Sequence, residues 1–103
     1  MAFEDRGNNV TIDLLENATT TDTGSWFRLP KDKVFSVRGI TTATVVIEYK
    51  VHDSDTAATL NTFTADGYIV NNDPLGYVRA RVSAYTSGTI SVSCSVTDPW
   101  DAA

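Results

Sequence analysis

Residues 77–96 read YVRARVSAYTSGTISVSCSV. Val78, Ala80, Val82 and Ala84 alternate with Tyr77, Arg79, Arg81, Ser83 and Tyr85. A period of two held over this length is the mark of a strand with one buried face. The pattern resumes with Ile90, Val92, Cys94 and Val96 alternating with Thr89, Ser91, Ser93 and Ser95. Thr86, Ser87 and Gly88 lie between the two runs. A short connection ending in Gly predicts a hairpin closed by a type I turn and a glycine bulge. Pairing Tyr85 with Thr89 then sets Val82 opposite Val92 and Ala80 opposite Cys94, apolar against apolar. A slip by one residue would bury Arg79 and Arg81.

The rest of the chain repeats the theme. Val10–Leu15 alternates. Ser25–Leu29 and Lys33–Arg38 flank the turn Pro30-Lys31-Asp32. Ala43–Val51 predicts a central strand with Val45, Ile47, Tyr49 and Val51 inward, and Thr44, Val46, Glu48 and Lys50 outward. Thr59–Thr64 and Tyr68–Val70 surround Ala65-Asp66-Gly67, a hairpin signal. Asn71-Asn72-Asp73-Pro74 reads as a turn. No stretch keeps a helical period. The prediction is all-β: a single antiparallel β-sandwich of seven to eight strands, with a jelly-roll among its topologies. Residues 10–96 form the domain, residues 1–9 an N-terminal arm and residues 97–103 a C-terminal tail.

Composition agrees. A chain of 103 residues suffices for one core, folding burying roughly 65% of its unfolded surface. Ser and Thr supply 23 of 103 residues, and strands accept Thr well. The single cysteine, Cys94, falls at an inward position and reads as a buried small hydrophobe. No apolar run approaches the ~18 residues of a membrane span, and MAFEDRGNN lacks the apolar stretch of a secretory signal. Eight basic against thirteen acidic residues give a net charge of −5. Nucleic-acid binding is therefore not expected, because it calls for a basic stripe.

Catalytic chemistry finds little support. The one histidine, His52, sits in the polar loop His52-Asp53-Ser54-Asp55, and sequence neighbours on a loop do not make an oriented triad. Asp53 and Asp55 lack the remainder of a calcium loop. No catalytic residue, cofactor or metal site is expected.

Four segments carry a resemblance: GSWFRLP (24–30), TTATVVIEYKV (41–51), LNTFTADG (60–67) and GYVRARVSAYTSGTISVSCSV (76–96). Together they resemble small β-sandwich proteins encoded among the structural genes of tailed bacteriophages. The His52–Asp55 loop departs from that pattern. The resemblance implies a virion component at the capsid surface: a capsid decoration (cement) protein that binds the major capsid protein or other virion proteins. A head-fibre or tail-associated module that binds carbohydrate or a receptor is the alternative. The expected assembly is a homo-oligomer, trimer or dimer.

The residues suited to partner contact are Tyr77, Arg79, Arg81 and Tyr85 on the outward face. Tyr and Arg are enriched at interface hot spots. Phe3 and Trp100 join them as isolated aromatics in polar arms.

Overall fold

The computed structural model describes residues 9–97. Seven strands follow in order: β1 (Asn9–Ala18), β2 (Asp22–Thr23), β3 (Phe27–Arg28), β4 (Lys33–Lys50), β5 (Ala58–Phe63), β6 (Gly67–Asn71) and β7 (Tyr77–Thr97). All belong to one open antiparallel sheet. The all-β antiparallel expectation is met.

Two long strands form the centre. β4 and β7 pair along their whole length, from Lys33 against Val96 to Lys50 against Tyr77. On the far side of β7, β1, β2 and β3 follow one another along its edge. On the far side of β4, β5 pairs with residues 45–49 and β6 with residues 33–37. The sheet is thus four columns wide, and its outer columns are broken strands.

The predicted hairpin at Thr86-Ser87-Gly88 does not form. β7 runs through those residues as one strand of 21 residues. Val82 pairs with Val45, and Val92 pairs with Val37. Likewise Lys33–Arg38 and Ala43–Val51 are parts of a single 18-residue strand, β4. Val51 lies beyond its end and is 66% exposed rather than inward. The hairpin expected at Ala65-Asp66-Gly67 also gives way, because β5 and β6 both pair with β4 and not with each other. The local turn signals are real as bends. What overrides the hairpins is the longer pairing available to each run along β4 and β7.

Strands this long cannot be straight. At about 3.3 Å per residue β4 would reach roughly 60 Å and β7 roughly 70 Å, whereas the longest dimension of the molecule is 43 Å. The bend falls where the β4–β7 register is irregular, between Arg38 and Val45. Gly39 (φ +85°) and Gly88 (φ +129°) sit there. A Cβ on Gly39 would come within 1.8 Å of the Thr89 carbonyl oxygen, and one on Gly88 within 2.4 Å of the Gly39 carbonyl oxygen. Only glycine permits this approach. The outer columns break at the same level, between β1 and β2 and between β5 and β6. There the Asp66 carboxylate accepts the Ile40 N–H at 2.8 Å.

Bending turns the inward face of the sheet onto itself. Phe35, Val37, Ile90, Val92, Cys94 and Val96 from one half meet Val45, Ile47, Val78, Ala80 and Val82 from the other in one continuous core. The inward positions assigned to β7 from its alternation are all buried except Ala84. The two layers expected of a sandwich are the halves of one folded sheet. Lys33 closes one end. Its buried ammonium donates to the carbonyls of Pro30 (3.2 Å), Lys31 (2.8 Å) and Asp73 (2.8 Å), and burial holds its pKa below the ordinary lysine value.

Gly39→Ala is expected to destabilise the fold by about 3 kcal/mol or more, combining backbone strain with displaced backbone at the bend. The urea midpoint of the variant against wild type checks this. Cys94 is fully buried, and desolvation pushes its thiol up to about 11. It should resist a thiol reagent in the native protein and react only on unfolding, because the thiolate is the reactive form. Labelling kinetics with and without denaturant read the difference.

Candidate functional site

The outward face of the β3–β7–β4 region carries the densest group of charged and aromatic side chains. Alternation along β7 sends Tyr77, Arg79 and Arg81 away from the core, and alternation along β4 sends Glu48 and Lys50 the same way. The ladder sets Glu48 beside Arg79 and Lys50 beside Tyr77. Trp26 and Arg28 come over this face from the β3 segment, with Arg28 paired against Tyr77.

Glu48 is the hub. Its side chain is 10% exposed. Oε1 accepts from Arg79 Nε at 2.8 Å. Oε2 accepts from Arg81 Nε at 3.2 Å, with Arg81 Nη2 at 3.1 Å. Burial by itself would raise the carboxyl pKa. The hydrogen bonds from Arg79 and Arg81 and their positive charges outweigh that and hold it below the ordinary value.

The rings complete the cluster. The Arg79 guanidinium lies 4.4 Å from the centre of the Trp26 ring and the Lys50 ammonium 4.7 Å from it. Arg28 sits 5.2 Å and Lys50 5.6 Å from the centre of the Tyr77 ring. All four distances fall within reach of cation–π attraction. Arg28, Lys50, Arg79 and Arg81 are four of the eight basic residues of the chain. Glu48 offsets one of these charges, and exposed Asp53 stands 3.7 Å from Lys50. The result is a positive, aromatic-backed face on a chain of net charge −5.

The outward assignment of Tyr77, Arg79 and Arg81 agrees with this geometry, and that of Tyr85 is corrected. The register shift between Thr44 and Val45 lets Tyr85 pair with Ala43 and reverses its side. Tyr85 packs half-buried against the core and donates its hydroxyl to the Gly88 carbonyl at 2.6 Å. Phe3 and Trp100 lie outside the described residues. Ser91, Ser93 and Ser95 do not continue the arginine face, since the bend carries them to the outside of the other half. There Ser93 accepts from Arg38 Nη2 at 3.2 Å and donates to Asp13 at 3.0 Å.

Trp26, Arg28, Glu48 and Lys50 are not among the residues that the sequence assigns to partner contact. Glu48 and Lys50 were legible as outward positions of a strand. Trp26 and Arg28 reach the face only through the pairing of β3 with β7.

The His52 loop holds itself together. Asp55 accepts the His52 backbone N–H at 2.9 Å, and His52 Nδ1 accepts the Ser54 N–H at 3.1 Å, with Ser54 Oγ at 2.8 Å. Asp55 holds the backbone of His52 and not its ring, so the loop has the bonding of a turn. Among the described residues no group of three or more His, Cys, Asp or Glu side chains could hold a metal ion.

This fold is shared with a prophage-derived protein. The crystal structure of the SPBc2 prophage-derived protein YomS superposes with a TM-score of 0.70 at 14% sequence identity, covering 95% of this chain and 100% of that one. At that identity the likeness is one of fold. No family model and no curated protein sequence matches the chain.

Glu48→Gln should destabilise the domain by about 1–3 kcal/mol, because two partly buried guanidinium groups lose their charged acceptor. A depressed carboxyl pKa means that ionised Glu48 stabilises the fold above its unfolded-state value. The contribution is lost as pH falls from the ordinary value of 4.5 through the lower folded value. Wild type should therefore lose stability over that acidic window and Glu48→Gln should lose less, as read from urea midpoints at neutral and acidic pH.

Proposed function

We propose that this chain is a virion structural protein of a tailed bacteriophage, specifically a capsid decoration protein that acts by non-covalent attachment rather than catalysis. The observation that carries the reading is the Glu48-anchored cation–aromatic face. Arg79 and Arg81 are held in place before any partner arrives, so little side-chain entropy is lost on docking. Trp26 and Tyr77 provide rigid apolar area beside the charges. Arg28, Arg79 and Arg81 reach solvent on one face of an acidic protein, and Lys50, with its 11% exposed side chain, adds positive potential from within. Together they select an acidic partner surface and steer it on approach. A capsid repeats such a surface many times, and several weak contacts then act together.

Two further observations support the phage assignment. The sequence segments resemble those of tailed-phage structural proteins, and the fold is shared with a prophage-derived protein. The carbohydrate-binding alternative is less well supported by the geometry. Glycan stacking needs a free ring face, whereas Trp26 and Tyr77 each have two cations drawn up to the ring.

Reversing Arg79 and Arg81 to Glu would put three carboxylates in contact around Glu48 and confound docking with folding. Arg28→Ala combined with Lys50→Ala leaves the Glu48 pairs intact. This double variant should retain the wild-type circular dichroism spectrum yet bind undecorated shells at least about tenfold more weakly, and wild-type binding should fall with added salt. Co-sedimentation with shells is the measurement. Salt-independent binding, or equal binding by the variant, would overturn the assignment of this face. Absence of wild-type binding would overturn the decoration reading.

A further inference from the structure

The edge of the sheet formed by β6 has properties that the cation–aromatic face does not explain. β6 pairs with β4 along all of Gly67–Asn71 and with no other strand among the described residues. Its other edge therefore presents backbone N–H and C=O groups without strand partners. Such edges are ordinarily guarded by charge, by Pro or by a bulge. Gly67-Tyr68-Ile69-Val70-Asn71 has no charged residue and no Pro, and its register with β4 is regular. On the outer face of the same strand Tyr68 is 77% and Val70 63% exposed. They are the two most exposed large apolar side chains on the strands. Val34, paired with Val70, extends the patch.

We infer that β6 is the self-association edge of this protein: a second copy adds its own β6 antiparallel, across a two-fold axis at Ile69, and extends the sheet. That register sets Tyr68 of each copy opposite Val70 of its partner. An aromatic ring against a β-branched residue is a favourable cross-strand pair, and the symmetry forms it twice.

The self-complementary Tyr68–Val70 register argues for a second copy as the occupant, and charge argues for this edge. Two copies of a chain of net charge −5 repel, so they can meet only where their carboxylates do not face each other. In the Ile69-centred register Asp66 falls opposite Asn72 of the partner, and Asp73 opposite Ala65. The Asp66 carboxylate is already turned inward to the Ile40 N–H. The opposite edge of the sheet is guarded. β1 carries Asp13 and Glu16, so close that a hydrogen bond donated to Asp13 by the protonated Glu16 carboxyl, and the Asp13 charge, hold the Glu16 carboxyl above the ordinary value. β5 is uncharged as well, but it exposes no large apolar side chain. The inference does not rest on the capsid reading, because it concerns the protein alone in solution.

Sedimentation equilibrium of the full chain over about 1 μM to 1 mM is the test, a range that covers weak and moderate dimers. Wild type should associate to a dimer. Val70→Lys and Tyr68→Lys, both at exposed positions, should each weaken dimerisation at least about tenfold by placing a guarding charge on the edge. Amide exchange of Gly67–Asn71 in wild type should slow as concentration rises, whatever the behaviour of the variants. Arg28→Ala with Lys50→Ala should dimerise like wild type. A wild type that stays monomeric throughout, lysine variants that associate unchanged, or β6 amides indifferent to concentration would each overturn the assignment. Loss of dimer in the Arg28/Lys50 variant would instead place self-association on the cation–aromatic face.

Discussion

The contact between Gly39 and Gly88 is the constraint on which the molecule turns. Two strands of 18 and 21 residues pair from end to end, and a flat sheet of that length would leave its apolar face in water. Burial of that face is the dominant favourable term in folding, and it becomes available only if both strands bend at the same level. Gly39 and Gly88 allow this because the Thr89 carbonyl occupies the space where a Gly39 Cβ would stand, and the Gly39 carbonyl the space where a Gly88 Cβ would stand. The breaks in the outer columns, the register shifts and the Asp66–Ile40 bond all fall at that level. They are consequences of one fold line across a single sheet.

The bend also divides the outer surface into two territories of different chemistry. On one half, Glu48 gathers Arg79 and Arg81, with Trp26, Lys50 and Arg28 beside them. On the other half the outward residues are mainly Ser, Thr and Val, tied by the Asp13–Ser93–Arg38 bonds. A buried carboxylate shared by two guanidinium groups contributes little to net stability when compared with apolar packing. Its value is geometric, because it holds two cations in place on a surface where free arginines would sample many rotamers. The other half ends in β6, whose uncharged edge suits a partner that supplies backbone rather than charge. Under the two proposals, one surface selects by charge and the other by strand addition, and a single small domain holds a particle and a sister copy at once.

Much of this was legible in the sequence, and the limits are instructive. Alternation by itself identified the all-β class, the burial of Val78, Ala80, Val82, Ile90, Val92, Cys94 and Val96, and the outward direction of Tyr77, Arg79 and Arg81. Side-chain direction in a strand has a period of two whatever the strand pairs with. Pairing was not legible. Thr86-Ser87-Gly88 has the composition of a hairpin turn, and only the presence of an equally long β4 converts it into a bend. Asp66-Gly67 misleads in the same way, because β5 and β6 each find a better partner in β4 than in one another. Tyr85 was misplaced because a bulge beside Ser83 reverses the alternation, and a bulge is set by the partner strand.

The site divides along the same line. The sequence by itself determined which residues leave the core, since that follows from local backbone geometry. Only the tertiary structure decided which of them meet. Glu48 is 31 residues from Arg79 and 33 from Arg81, and Trp26 reaches Arg79 from another column of the sheet. Contacts of that kind depend on strand order and register, and these are settled by the competition among all possible pairings for one buried face. No single stretch of the chain contains that competition.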